Sequence, residues 1–360
     1  MTEPAILVLT TVHQPDDTRI RERLIRSLES LGSVTYAGRD PGPSDRSGLV
    51  WVPLVGGRFR RNLGALRLLL SRRWDIAVLH DPETIPAGVL ARKLRGTSVV
   101  FDVHEDLPAQ IGSKDWIPRW AEPLFRRAAR ALYKMAERRL SLTLAEPGYA
   151  RILERDHPVF PNFPRSDHFP DPHRTGDGTA VYVGDVTRQR GIEDALAACG
   201  QIDVHLVVVG RVIDALAGSL RRMASDRGLG LTITGPLPNP EAMARASLAS
   251  VGLSPLRAHD NYRSSLPTKT LEYLALGVPV VATDLPGTRA VLEGLGAVWL
   301  VPPGDLPAMA SAIEEAARPE AKTVAVEQAA EVRDRFRWPE AEVRSFYSDL
   351  LQQRETPAPS

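Results

Sequence analysis

The residues best suited to chemistry lie in one stretch of the second half, Ser264–Gly287, which reads SSLPTKTLEYLALGVPVVATDLPG. Its first part reads as a loop that leads into a helix carrying Lys269 and Glu272. A helix N-terminus offers unpaired N–H groups and partial positive charge, so it favours an anion such as phosphate. Lys269 adds a full charge, and the Glu272 carboxylate can accept ribose hydroxyls. The stretch therefore predicts a nucleotide site, although a capped helix with a solvent-facing charge pair would carry the same residues.

A second stretch of this kind is Tyr182–Gly191, YVGDVTRQRG, in which a strand ends at Gly184. A glycine at a strand end lets the backbone approach a ligand closely. The guanidinium of Arg190 suits a forked anion such as a diphosphate, and Arg188 offers another cation. A plain strand–turn–helix with exposed arginines is the alternative. Two later strand ends are placed similarly, and they carry Gly210, Gly235 and Leu237.

Polar side chains also follow the strands of the first half. The segment Phe101–Asp106 reads FDVHED and places His104 and Glu105 just beyond a strand, and His80 and Asp81 end the neighbouring strand. Because ligands bind outside the carboxyl ends of parallel strands, we expect these side chains at a binding edge.

The loop after the first strand, His13–Arg19, reads HQPDDTR. We expect His13 at the same edge as the other strand ends. Asp16, Asp17 and Arg19 can hold the hydroxyl groups of a ligand. Equally, Asp17 or Thr18 can cap the first helix.

The elements around these residues alternate between apolar strands and helices. Strands that are apolar at every position indicate parallel sheets covered on both faces, which is a doubly wound α/β architecture. At 360 residues the chain is long enough for about two domains. The proline-rich segment His157–His173 marks the boundary. We predict domains at 1–160 and 161–337, a helix at 338–354 that packs back toward the N-terminal domain, and a disordered tail at 355–360.

Composition excludes several classes of protein. The formal charge is +1, from 45 basic and 44 acidic residues, so no overall field attracts nucleic acid. The single cysteine excludes an intrachain disulfide and a cysteine-based zinc site. No run of about 18 apolar residues predicts a membrane-spanning helix, and the N-terminus lacks the basic region of a signal peptide. We therefore expect a cytoplasmic protein.

Two basic, amphipathic segments, 116–140 and Phe59–Trp74, can lie on an anionic membrane surface. The alternative is a pair of core-packing helices with a solvated basic face. Contact through 116–140 would place the chain peripherally at the inner face of the cell membrane, and it would favour a lipid-linked ligand.

The stretch from Pro267 to Ala282 resembles the signature of family 4 of the retaining glycosyltransferases, Pro-x-Lys-x-x-Glu-Tyr-(Leu/Met)-Ala-x-Gly-x-Pro-Val-(Val/Ile)-Ala. The resemblance implies the GT-B fold, in which two Rossmann-like domains face each other across a cleft. It also implies transfer of a sugar, with retention, from a UDP- or GDP-linked donor to a hydroxyl of a glycan, lipid-linked or small-metabolite acceptor. The C-terminal domain would bind the donor and the N-terminal domain the acceptor.

The same resemblance implies roles for single residues of the donor site. Glu272 matches the ribose-binding glutamate, and Arg190 matches the cation on the diphosphate. The family carries a glutamate where this chain has Ser264, and an arginine where it has Asp185, for which Arg188 can compensate. The implied donor-site residues are Gly184, Arg188, Arg190, Gly210, Gly235, Leu237, Ser264, Leu266, Pro267, Thr268, Lys269 and Glu272.

On the acceptor side, His104 matches a histidine that contacts the transferred sugar. It joins Arg190 and Lys269 as the predicted catalytic residues. The implied acceptor-binding residues are His13, Asp16, Asp17, Arg19, His80, Asp81, His104 and Glu105.

We expect neither a metal nor a cofactor. No Asp-x-Asp triplet occurs in the sequence, and helix N-termini with Arg and Lys can neutralise a leaving diphosphate. Two alternatives stay open at this point. One is a nucleotide-sugar epimerase of the related two-Rossmann fold, and the other is a catalytically silent partner subunit, which the departures at Ser264 and Asp185 suggest.

Overall fold

The chain divides into two compact units, unit 1 formed by Met1–Asn162 with Trp338–Ser360, and unit 2 formed by Phe163–Arg337. The structure, a computed structural model, describes residues 3–43, 48–111, 117–259, 262–263, 266 and 268–355. The tail expected at 355–360 begins inside a helix at Glu355, and its remainder lies outside the described residues.

Unit 1 is built on one sheet of six parallel strands in the order β3-β2-β1-β4-β5-β6. Its inner strands are apolar at successive positions because both faces of the sheet are covered. Residues 6–9 of the first strand, for example, are all buried. In chain order the strands are β1 Ala5–Leu9, β2 Ser33–Arg39, β3 Leu49–Leu54, β4 Ile76–Leu79, β5 Ser98–Val103 and β6 Ser141–Leu144.

The helices of unit 1 lie in the connections between these strands. A π-helical segment, Arg19–Ile25, continues directly into the first α-helix. The α-helices up to the boundary are α1 Arg26–Leu28, α2 Arg58–Ser71, α3 Ile85–Arg95, α4 Leu107–Gln110 and α5 Glu122–Arg139. Among the residues that the structure describes, no helix could span a bilayer, since none combines enough length with enough apolar character.

Unit 2 repeats the architecture, with six parallel strands in the order β12-β11-β10-β7-β8-β9. The strands are β7 Thr179–Val183, β8 His205–Val209, β9 Leu231–Gly235, β10 Val251–Ser254, β11 Val280–Thr283 and β12 Val298–Val301. The helices between and after them are α6 Ile192–Gln201, α7 Asp214–Arg227, α8 Asn239–Ser247, α9 Thr268–Ala275, α10 Pro286–Leu292, α11 Leu306–Ala316 and α12 Pro319–Arg335.

After unit 2 the chain returns to unit 1 with the last helix, α13 (Glu340–Glu355). Val343 and Tyr347 are fully buried in the same apolar cluster as residues of β1. The Trp338 indole N–H donates to the Ser27 hydroxyl at 3.0 Å, which fixes the start of this return.

Both sheets reverse their strand order beside their first strand. The reversal lies between β1 and β4 in unit 1, and between β7 and β10 in unit 2. In open α/β sheets, ligands bind outside the carboxyl ends of the strands at such a reversal. The fold therefore offers one candidate binding edge in each unit.

Candidate active site

Three neighbouring strands of unit 2 end in glycines with positive φ: Gly184 after β7, Gly210 after β8 and Gly235 at the end of β9. We call these residues the glycine edge. The Gly184 N–H donates to the Val209 carbonyl, and the Gly210 N–H donates to the Gly235 carbonyl, each at 2.9 Å. A Cβ atom on Gly210 would lie 2.0 Å from the Gly184 carbonyl oxygen, so no other residue fits there. The glycine edge is thus bare backbone at the predicted binding edge.

Two cations converge on the glycine edge. A Cβ atom on Gly184 would lie 3.7 Å from Lys269 Nζ and 3.8 Å from Arg190 Nη1. Lys269 comes from the first turn of α9, and Arg190 from a 3₁₀ turn that follows β7. Because glycine places no side chain between them, the two positive groups can face one anion. This arrangement suits a diphosphate.

The ammonium group of Lys269 lacks a hydrogen-bond partner among the described residues. Its Nζ atom is closed off from solvent, while part of the side chain is exposed. The nitrogen lies 3.6 Å from the centroid of the Tyr182 ring. Burial, and secondly the charge of Arg190, hold the pKa of Lys269 well below its ordinary value. A bound anion would supply the missing partner and favour the charged form.

Tyr182 connects the two cations. Its ring faces Lys269, while its hydroxyl lies beside the Arg190 guanidinium and donates to the Asp185 carbonyl at 3.0 Å. Burial alone would lower the pKa of Arg190, but Tyr182 and Tyr262 more than offset that effect. Neither tyrosine is predicted as a site residue from the sequence. A tyrosine in an apolar strand carries no signal that separates it from the core.

A third tyrosine positions α9. The Val183 N–H, the last of β7, donates to the Tyr273 hydroxyl at 2.7 Å. The Tyr273 ring passes over Gly252 of β10, where a Cβ atom would lie 2.3 Å from it. Tyr273 therefore holds α9 against the strand reversal. Lys269 and the half-buried Glu272 lie on this helix.

Of the remaining uncharged residues predicted for the donor site, the structure describes Thr268, Leu237 and Leu266. The Thr268 N–H donates to the Leu266 carbonyl at 2.9 Å, so this donor is already used. Leu237 and Leu266 are half-buried against the apolar core of unit 2. Ser264 and Pro267 lie outside the described residues.

The structure does not bring Arg188 to the two cations. Its guanidinium is exposed and lies 3.2 Å from Glu193, in the first turn of α6. Asp185, which stands where the resemblance implies an arginine, accepts from a single nitrogen of Arg211, Nη2, at both of its oxygens, at 2.9 and 3.0 Å. The neighbouring strand end thus supplies a cation, but it is paired with an acid.

The binding edge of unit 1 is organised by Asp102, at the end of β5 and fully buried. Arg19 donates to both of its oxygens, Nε to Oδ2 and Nη2 to Oδ1, each at 2.8 Å. The Thr143 hydroxyl donates to Oδ1 at 2.8 Å. Burial alone would raise the pKa of Asp102, but the charge of Arg19 holds it well below its ordinary value. The result is a buried ion pair.

This geometry corrects two expectations about the loop after β1. Arg19 does not offer its guanidinium to an acceptor, because its remaining nitrogen, Nη1, donates to the Phe160 carbonyl at 2.9 Å. Asp17 accepts from the backbone N–H groups of Arg19 at 3.0 Å and Ile20 at 3.2 Å, so it takes the capping alternative. Asp16 is exposed.

Two histidines meet at the same edge. The Nε2 atoms of His13 and His104 lie 3.0 Å apart, and His13 Nδ1 lies 3.0 Å from Asp81 Oδ1. Asp81 is buried and also accepts from the Thr10 hydroxyl at 2.8 Å. Burial alone would lower the pKa of His13, but the hydrogen bond and charge of Asp81 raise it to about 9. Asp81 is therefore an internal partner, whereas His13, His104 and Glu105 are partly exposed.

A third histidine, His80, lies next to this pair, on the side of His104. It is fully buried, and its Nδ1 atom lies 3.4 Å from Asp102 Oδ2. Burial lowers the pKa of His80, which favours the neutral ring. It packs against the His104 ring with centroids 5.4 Å apart. His80 thus supports His104 from within the unit and is not presented to an acceptor.

Three of these groups are close enough to hold a metal ion. Donor atoms of His80, Asp102 and His104 lie within 4.8 Å of one another. However, Arg19 already donates to both oxygens of Asp102. A divalent ion would add two positive charges beside a buried guanidinium that already balances the charge of Asp102. The residues fit an ion-pair network better than a metal centre.

Both halves of the chain match families of known proteins. The family described as "Glycosyl transferases group 1" matches residues 177–318, and the "Glycosyl transferase 4-like domain" matches residues 15–159. WcaL of Salmonella typhimurium, a proposed colanic acid biosynthesis glycosyltransferase, is 28% identical over 144 residues. That match covers 38% of this chain and only 36% of WcaL.

Solved structures match over almost the whole chain. Sucrose-phosphate synthase from Thermosynechococcus elongatus has a TM-score of 0.75 at 18% identity, covering 98% of this chain and 99% of that one. Anabaena HepE in complex with UDP-glucose has a TM-score of 0.74 at 14% identity, covering 97% and 99%. WaaG, a glycosyltransferase involved in lipopolysaccharide biosynthesis, has a TM-score of 0.69 at 12% identity, covering 94% and 98%.

The structural matches establish the fold, and the family matches favour transfer over epimerisation. Both agree with the two parallel sheets and with the signature around Lys269. The chain belongs to the group 1, family 4-like glycosyltransferases and has the GT-B fold.

Proposed function

We propose that this chain is a retaining, metal-independent glycosyltransferase that moves a sugar from a UDP- or GDP-linked donor to a hydroxyl acceptor. Unit 2 binds the donor and unit 1 the acceptor. The observation that carries the proposal is the convergence of Lys269 and Arg190 on Gly184. The matching structures of HepE with UDP and with UDP-glucose support a nucleotide-sugar donor.

In the proposed reaction, the acceptor oxygen bonds to the anomeric carbon on the face from which the diphosphate leaves. The bond from that carbon to the phosphate oxygen breaks, and the leaving phosphate takes the hydroxyl proton. Arg190 and Lys269 stabilise the charge that develops on the diphosphate, which is the term that usually dominates such catalysis. This role needs no metal ion, because Arg190 is charged and a bound diphosphate would favour the charged form of Lys269.

The proposal predicts slow release of UDP or GDP from the matching nucleotide sugar in EDTA, and faster release with an acceptor. Glu272→Gln should weaken nucleotide binding about 10- to 100-fold, because it removes charge-assisted hydrogen bonds to the ribose worth about 1.5–3 kcal/mol. Isothermal titration with UDP and GDP measures the affinity, and chromatography of the products measures release.

Glu314→Gln is the matched control, since Glu314 is an exposed glutamate on α11 of the same unit. It should bind nucleotide like the wild type. Unchanged affinity in Glu272→Gln would contradict the ribose role. Epimerisation of the donor sugar without release would contradict transfer itself.

We also propose that unit 1 contacts an anionic membrane surface, which would favour a lipid-linked acceptor at the inner face of the cell membrane. Just before α5, Trp120 is 83% exposed, and on α5 itself Leu124 is 65% exposed and Arg127 and Arg130 are also exposed. At the start of α2, Phe59 is 81% exposed among arginines. Exposed apolar side chains flanked by basic residues are typical of interfacial helices. Trp116, the first residue of this predicted segment, lies outside the described residues.

Flotation with vesicles that contain phosphatidylglycerol should recover the wild-type chain in the lipid fraction. Trp120→Ser should reduce the bound fraction about tenfold, since burying such a side chain contributes roughly 1.5–3 kcal/mol. Ile213→Ser is the control, because Ile213 is 67% exposed but belongs to unit 2. Equal losses for both variants, or no flotation of the wild type, would contradict a membrane face on unit 1.

A further inference from the structure

The contact between His13 and His104 constrains the protons of both rings. Their Nε2 atoms lie 3.0 Å apart, and the rings meet edge to face with centroids 4.5 Å apart. Two ring nitrogens at this distance repel each other unless exactly one of them carries a proton. One proton must therefore lie between the two Nε2 atoms.

The outer nitrogens of the two rings each face a carboxylate. His13 Nδ1 lies 3.0 Å from Asp81 Oδ1, and His104 Nδ1 lies 3.5 Å from Asp102 Oδ2. A protonated nitrogen is attracted to such an oxygen, whereas a lone pair would be repelled. His104 Nδ1 is buried and makes no hydrogen bond with the described residues, so its proton is assigned from the charge of Asp102 alone, and the protons then number three on four ring nitrogens. A neutral pair would hold two, so the third brings one positive charge.

We propose that His13 and His104 form one cationic unit, the histidine pair, in which His13 is a positioning residue that occupies Nε2 of His104. In this arrangement neither nitrogen of His104 keeps a free lone pair. His104 therefore cannot act as the base that takes the acceptor's proton. For this catalytic consequence the inference rests on the proposed function, and it agrees with proton transfer to the leaving phosphate.

The charges around the histidine pair are consistent with one extra proton. Asp81 is the counter-ion, and Asp17 and Glu105 add negative charge near His13. On the far side, Arg19 neutralises Asp102. His80 packs there as a neutral ring. The two negative charges of Asp81 and Asp102 thus balance the two positive charges of the histidine pair and Arg19. The pKa of His13, raised to about 9, agrees with this balance.

Nuclear magnetic resonance of the full chain, labelled with ¹⁵N at histidine, tests the protonation directly. At pH 7.5 we expect both nitrogens of His13 and Nδ1 of His104 to carry protons, with the His13 proton lost only near pH 9. Asp81→Asn should move that loss down by more than one pH unit, because it removes the counter-ion. A neutral His13 at pH 7.5 in the wild type would overturn the proposal, whether or not the chain transfers sugar.

The pH profile of turnover tests the catalytic consequence. Wild-type turnover should fall as the pH rises through about 9, with no loss on the acid side from protonation of a histidine base. His13→Gln keeps a polar partner for His104 without the charge. It should lower kcat about tenfold or more, remove the alkaline fall and leave the KM for the donor unchanged. A wild-type profile in His13→Gln would contradict the positioning role.

Discussion

Replacing Lys269 by methionine is expected to lower the turnover number about 100- to 1,000-fold without lowering the stability of the fold. The loss follows because the ammonium group stabilises charge that develops on the departing diphosphate, and single donors of this kind contribute that much to catalysis. Product release at saturating nucleotide sugar measures the effect. The affinity for UDP or GDP should fall in the same variant, since the diphosphate loses a cation.

Stability should not fall, because Nζ is buried without a hydrogen-bond acceptor among the described residues. Burying Lys269 without an acceptor costs either the desolvation of an ammonium or the loss of its proton, and a buried contact with the Tyr182 ring returns only roughly 2 kcal/mol. Methionine fills the same space without that cost. Thermal unfolding of Lys269→Met should therefore occur at the wild-type temperature or above.

Lys322→Met is the matched control from the same unit. Lys322 is also buried, but its Nζ donates to the carbonyls of Ser247 at 3.3 Å and Ala249 at 3.2 Å. Its loss should lower stability and leave nucleotide affinity unchanged. If Lys269→Met bound nucleotide and turned over like the wild type, the anion site would be wrong.

Breaking the buried ion pair of unit 1 should have the largest effect on stability. Arg19→Met leaves Asp102 as an unpaired charge in the interior, at a cost of about 3–5 kcal/mol. For a domain of this size the unfolding midpoint should fall by roughly 10 °C. Asp102→Asn should behave similarly, because it leaves the Arg19 guanidinium buried without its counter-ion. Calorimetry of the three proteins measures both shifts.

The double variant and the pH dependence of stability distinguish loss of the Arg19–Asp102 ion pair from nonspecific destabilisation of the fold. Arg19→Met with Asp102→Asn should lose less than the sum of the single changes, since neither partner is left charged and alone. The folded-state pKa of Asp102 is depressed, so its stabilisation is present above about pH 4 and is lost as the pH falls toward that folded value. The difference between wild type and Asp102→Asn should therefore shrink in acid.

Arg257→Met provides a control with the same contact at the surface. Arg257 forms a bidentate pair with Asp194 at 2.8 Å for both bonds, but its side chain is 44% exposed. Surface pairs of this kind contribute less than about 1 kcal/mol. Equal losses in Arg257→Met and Arg19→Met would contradict the claim that burial makes the Arg19 pair costly to break.

Much of the fold was predictable because apolar runs and turns are local signals. The apolar runs Ser98–Val103 and Val298–Val301 each predict a strand, and the structure has strands with these bounds. The long helix α12 was not predicted. Its buried face includes Ala321, Ala325 and Ala329, and small alanines give a weak apolar pattern.

The candidate site was predictable where a residue type alone points to its chemistry. Gly184, Arg190 and Lys269 were chosen from local motifs, and the structure brings them together. Arg19 was misjudged, because its partner Asp102 lies 83 residues away in the sequence and only the sheet order places them together. The histidine pair escaped prediction for the same reason, since His13 and His104 follow β1 and β5, two strands that are not neighbours in the sheet.

Above all, we propose that the glycine edge of unit 2, with Arg190 and Lys269, holds the diphosphate of a nucleotide sugar. A crystal structure of the full chain with UDP or GDP at saturating concentration tests it most directly. We expect the outer phosphate beside Gly184, within hydrogen-bonding distance of both Arg190 and Lys269, and the ribose hydroxyls on Glu272. A nucleotide bound elsewhere, or a diphosphate that touches neither cation, would contradict it.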